Sequence, residues 1–197
     1  MGLYNAEISA GSLMLPESRR VASLMLTQPS RQSWFEALRL DNILQKKSPA
    51  TARRQARLIR NRLETLDESA WQKVAEGEQE VALQVLLAAA IKHSRLLGDF
   101  LSDVVAGRLR RLERTLSPGD WDAFLADCAH RDPAVATWSA TTRAKLLQVI
   151  LRMLAEARYL ESTRSLVLTP PLLHPEVRSF LHSRREEALL AAMELTS

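Results

Sequence analysis

Apolar residues recur along most of this chain at the three-and-four spacing of an α-helix, and only 6 Gly and 8 Pro interrupt the pattern. Period-2 alternation is confined to one short run, so the spacing predicts a mostly α, compact multi-helix protein. A first helix is expected from about Pro16 to before Pro29, and a second from about Ser33 to Gln45. Ser48-Pro49 then opens a third, because Ser caps free N–H groups while Pro fits the first turn, where its missing N–H costs nothing. It should run to about Leu66, followed by a short helix around Trp71. An apolar helix from about Glu78 should then bend or stop near Gly98 or Gly107. Its apolar residues lie all round, which marks it as the central core helix. Ser117-Pro118 repeats the cap signal, Ser139 opens a long helix to about Tyr159, and a last helix starts near Pro175. Between these two, Leu166, Val167 and Leu168 form a β-prone run, read as a small β-hairpin wing.

Shifting the chain by 91 residues lays Ser48 on Ser139, Thr51 on Thr142, Arg54 on Lys145, Ile59 on Ile150 and Leu63 on Leu154. Two capped amphipathic helices can match in this way by chance. The functional alternative is two helix-turn-helix-like units around the central apolar helix, the C-terminal one winged. On that reading residues 1–70 form an N-terminal unit, 71–117 a central core and 118–197 a winged-helix-like unit.

Charge is distributed unevenly. The net +4 and a mild excess of basic residues identify no partner. Yet Lys46, Lys47, Arg53, Arg54, Arg57, Arg60 and Arg62 follow one another with no acidic residue between them. Six acidic residues against Lys73 fill the next stretch, from Glu64 to Glu80. At 100° per residue Ala52, Ala56, Ile59 and Leu63 form an apolar stripe, Arg53, Arg57 and Arg60 the face beside it, and Arg54 and Arg62 lie further round. A capped basic helix entered through Lys46-Lys47 has the parts needed to dock on DNA, with N–H groups for phosphate and arginines for phosphate or guanine edges. Lys46, Lys47, Ser48, Thr51, Arg53, Arg54, Arg57 and Arg60 are therefore candidate double-stranded DNA contacts, and Arg143 and Lys145 are the weaker set on the second unit. The plainer alternative is a solvated face whose arginines pair with the acidic segment. Arg108, Arg110, Arg111 and Arg114 read as an ordinary exposed helix end.

Enzyme signatures are missing: no phosphate loop, no paired Cys and no nucleophile elbow. Cys128 and His130 face different ways on one helix and suit neither a dyad nor zinc. The four tryptophans, each near a helix start, read as packing anchors. No cofactor is expected. The longest apolar stretch, Val81 to Ile91, has 11 residues and is too short to span a bilayer. A lone Cys and no secretory pattern suggest a cytoplasmic protein without membrane contact.

The segments DNILQKKSPATARRQARLIRNRLETL (Asp41 to Leu66), LLAAAIKHSRLLGDFL (Leu86 to Leu101) and WSATTRAKLLQVILRMLAEARYLE (Trp138 to Glu161) resemble the BrxA family of BREX phage-defence systems. So do the opening YNAEISAG and LPESRRVA stretches. The resemblance implies a non-enzymatic, helical, nucleic-acid-binding accessory protein, similar in part to the antitermination factor NusB. The partners it implies are a methyltransferase, an ATPase and a phosphatase-like component. A protein-interaction scaffold and an RNA-binding protein are the alternative functions.

Overall fold

Several helix starts in this chain are set by side chains that replace missing backbone partners. The computed structural model describes residues 2–195. Ser30 Oγ accepts the N–H of Ser33 and opens α2 (Arg31–Arg39), Ser48 does the same for Thr51 at α3 (Pro49–Leu63), and Asp67 for Ala70 at α4 (Glu68–Glu76). These follow α1 (Leu15–Leu26) and precede α5 (Gln79–His93); together the five helices make up one compact unit, Leu13–His93.

Helix α5 is the core of that unit. From Val81 to Ile91 all its residues but Leu83 are buried, and α1, α3 and α4 pack on it. The Arg19 guanidinium donates to the carbonyls of Ala75 and Gly77, giving the C-terminus of α4 a cation and two hydrogen bonds. Two expected boundaries move. Helix α2 ends at Arg39 instead of near Gln45, because Asn42 and Gln45 are left-handed and the Asn42 side chain both accepts from Lys46 N–H (3.0 Å) and donates to its carbonyl (3.2 Å). That local pairing closes a turn in place of another helical turn. Helix α5 ends before Ser94, whose buried hydroxyl caps the next helix at Leu97 N–H, so the break comes ahead of both glycines.

The second unit is built from residues 1–12 and 94–197. It holds α6 (Arg95–Asp99), a π-helical stretch (Phe100–Val105) and α7 (Ala106–Arg110), then α8 (Pro118–Arg131) and α9 (Ala140–Glu156). Phe100 is fully buried edge-on to Trp121 and Phe124 of α8, with ring centroids 5.7 and 5.3 Å away. The opening segment is strapped to this unit: Tyr4 N–H donates to Asp132, Tyr4 OH to Asp99, and Ser12 OH to Glu156. The C-terminal helix expected from Pro175 is two helices, α10 (Pro175–Ser183) and α11 (Glu187–Glu194), parted at left-handed Arg185.

The β-hairpin wing is not formed, and no strand occurs among the described residues. Leu166–Leu168 pairs with two separate stretches through single antiparallel bridges, Val167 with Thr115 and Leu168 with Leu160. Leu168 N–H donates to Arg114 and Leu166 accepts from Leu116, while Val167 accepts from Glu161 N–H. Left-handed Leu166 turns the run at its start, and Pro170-Pro171 supply no N–H with which to lengthen a ladder. The β-prone residues thus clamp two loops together where a hairpin was expected.

Candidate nucleic-acid interface

The sequence of α3 fixes which way its arginines point. Ala52, Ala56, Ile59 and Leu63 form the expected stripe and are at most 1% exposed, held against α1 and α5. Because that face is locked, Arg53, Arg54, Arg57 and Arg60 are turned outward and exposed. Arg62 is not: it is 3% exposed and belongs to the interior, so the run of seven positive residues places four arginines on the helix surface.

Arg53, Arg57 and Arg60 line one wall of a groove of about 680 Å³ between α2 and α3, and Arg31 stands on the other. Trp34, Phe35 and Leu38 supply its apolar lining, and Asn61 and Glu64 its polar end. The Arg60 guanidinium lies over the Trp34 ring, 4.7 Å from its centroid, and its Nε donates to Glu64 at 2.7 Å. Arg31 lies over Phe35 at 5.8 Å. Among the described residues no carboxylate is within ion-pair distance of Arg53, Arg54 or Arg57, so pairing with the acidic segment engages Arg60 alone of the four.

The remaining candidates separate by what they already hold. Lys46 is half-buried and ion-paired through Nζ to Glu17 at 2.5 Å, whereas Lys47 is exposed. Ser48 Oγ accepts Thr51 N–H at 3.4 Å, which makes the pair a helix cap. On α9 in the other unit, Arg143 donates from Nε to the Trp138 carbonyl (3.0 Å) and from Nη2 to that of Ala136 (3.1 Å). It closes the 3-10 turn Pro133–Thr137, while Lys145 is exposed. Arg108 ties Glu113 and Asp120 together, in keeping with an ordinary helix end. Burial opposes ionisation of Asp120, but bonds from Arg108 and Ser117 N–H outweigh it and hold the carboxyl below its usual range.

Charge patterning found the arginine wall but missed the other side of the groove. Arg31 and Phe35 stand four apart on a Ser-capped helix beside Trp34, a spacing that aligns a cation with an aromatic ring. That was the available signal. Trp34, at 9% exposure, is the packing anchor expected, and it also backs the groove. No group of three His, Cys, Asp or Glu residues able to hold a metal occurs among the described residues. No single helix there is long and apolar enough to cross a membrane.

The BrxA family model matches residues 2–185. The BREX protein BrxA of Paramagnetospirillum magneticum is 40% identical over 98% of this chain and 97% of its own length. That of Escherichia coli O9:H4 is 37% identical over 95% of this chain and 88% of its own. A crystal structure of an uncharacterized protein from Magnetospirillum magneticum superposes with a TM-score of 0.90 at 38% identity, covering 98% of both chains.

Proposed function

The chain belongs to the BrxA family, and from that premise we propose that it is a non-enzymatic, DNA-binding accessory component of a BREX phage-defence system. It works in the cytoplasm beside the other BREX proteins and grips duplex DNA mainly by its phosphates. One observation carries the reading: α3 shows solvent a face of four arginines, three of them without an acidic partner, on a helix whose opposite face is locked in the core. Guanidinium groups held in that way gain more from phosphate than from water, because each contact releases condensed counterions.

Arg53, Arg54, Arg57 and Arg60 are the main contacts in this reading, with Lys47 at the helix entry. Lys46, Ser48 and Thr51 shape that entry, and Arg143 positions the turn ahead of α9, leaving Lys145 as the contact on that helix. Limited sequence preference follows, since Gln55 and Asn61 are the only amide side chains on α3. The test is duplex binding by the wild type and by Arg53→Glu with Arg57→Glu. A drop of about tenfold or more at moderate salt is expected; equal affinity would overturn the assignment of α3.

A further inference from the structure

Phosphate contact alone does not call for the α2 side of the groove. Cations suffice for phosphates, whereas here Phe35 is left 47% exposed in the lining, beside Trp34 and Leu38. Two guanidinium groups lie over these aromatic rings, Arg60 over Trp34 and Arg31 over Phe35. The result is a set of flat surfaces bordered by positive charge, in a space of about 680 Å³. That falls within the roughly 300–1,000 Å³ typical of small-ligand sites. Planar bases stack on aromatic faces and on guanidinium planes alike, while their phosphates take the arginines alongside. An acidic peptide would satisfy the charge but gains little from flat guanidinium faces.

We propose that the α2–α3 groove receives an unpaired nucleobase from a DNA strand, with Phe35 and the Arg60–Trp34 pair as the stacking surface and Arg53 and Arg57 holding the adjoining phosphates. The proposal rests on the DNA-binding reading and deepens it: the protein prefers DNA in which a base has left the helix. Arg60 serves both parts, its Nε bond to Glu64 fixing the guanidinium over Trp34.

The test uses the full chain and three duplexes of one sequence: fully paired, with one bulged 2-aminopurine, and with an abasic nucleotide at the bulge. The wild type should bind the bulged duplex about fivefold or more tightly than the other two, the scale of one stacked base, and 2-aminopurine fluorescence should change on binding. Phe35→Ala should abolish both the preference and the fluorescence change while holding paired-duplex affinity within about twofold. Phe35→Trp should restore them. Melting curves check that the variants fold, and substitution at so exposed a side chain leaves the core intact. Equal affinity for bulged and abasic duplexes overturns the proposal, as does a preference that survives Phe35→Ala. Phe35-dependent binding of a poly-glutamate peptide that displaces the bulged base equally well would assign the groove to an acidic protein and also overturn it. The two readings fail separately. Paired-duplex binding without base preference leaves the phosphate reading standing and removes this one. If no paired duplex binds, the phosphate reading falls, and Phe35-dependent binding of a single strand of the same sequence then decides for or against the groove.

Discussion

Asp132 joins two stretches of chain by accepting two backbone hydrogen bonds, from Tyr4 at 3.0 Å and from Ala134 at 3.1 Å. The Tyr4 N–H, followed by that of Ala134, holds its carboxyl below the ordinary range. A depressed folded-state pKa means that the ionised form stabilises the fold. The contribution is complete above the unfolded value of about 3.9 and is lost as pH falls through the lower folded value. Asp132→Asn keeps the shape and removes the charge. It should therefore melt below the wild type at pH 7, and the gap in Tm should narrow as pH is taken from about 4 towards 2. A gap of constant size in circular-dichroism melts across that range would count against the carboxylate. Neighbouring Arg131 bridges Asp99 and Asp103 and lies over the Tyr4 ring, so the N-terminal strap is held by charge as well as by the backbone. None of this was legible in the sequence, since Tyr4 and Asp132 are 128 positions apart and no local pattern pairs them. The same limit applies to Arg62 and Arg143. Their charge was counted correctly, but whether a guanidinium faces solvent or a carbonyl depends on packing that composition does not encode.

At the scale of elements, what could be read and what could not divide along a physical line. Caps are local: Ser48, Ser117 and Ser139 each act within three residues of the chain, and α3, α8 and α9 begin where they stand. The all-round apolar run became the buried α5 because its burial needs no particular partner. Leu166–Leu168 failed as a wing because pairing is non-local, and β propensity states only that a residue suits an extended, half-buried place. The π-helical stretch Phe100–Val105 had no cue in the sequence. It lies where Phe100 enters the Trp121–Phe124 cluster, and the wider turn accompanies full burial of that ring. Phe100→Ala would remove the ring at the centre of the cluster and leave a cavity against α8. We expect a loss of about 3–5 kcal/mol, read from urea unfolding followed by tryptophan fluorescence, where Trp121 reports directly. A loss below about 1 kcal/mol would mean that the cluster collapses to fill the space.

Across the whole molecule the net charge of +4 conceals a basic helix and an acidic segment that nearly cancel, and only their separation makes a polyanion a plausible ligand. If the grip is electrostatic and centred on α3, its four exposed arginines neutralise about four phosphates. The logarithm of the association constant should then fall with the logarithm of salt at a slope of about −3.6, or roughly a hundredfold between 50 and 200 mM. Arg54 stands on the exposed face but outside the groove, so Arg54→Gln should take about 0.9 from that slope and leave the preference for a bulged base unchanged. Arg57→Gln, which alters the groove wall, should reduce both. A measured slope nearer −6 would require cations beyond α3, with Arg31, Lys47 and Lys145 among the exposed candidates, and Arg31→Gln or Lys145→Gln would then lower it. A slope close to zero, with binding intact, would instead show that stacking and not phosphate contact carries the affinity. The basic helix would in that case orient the strand without being what holds it.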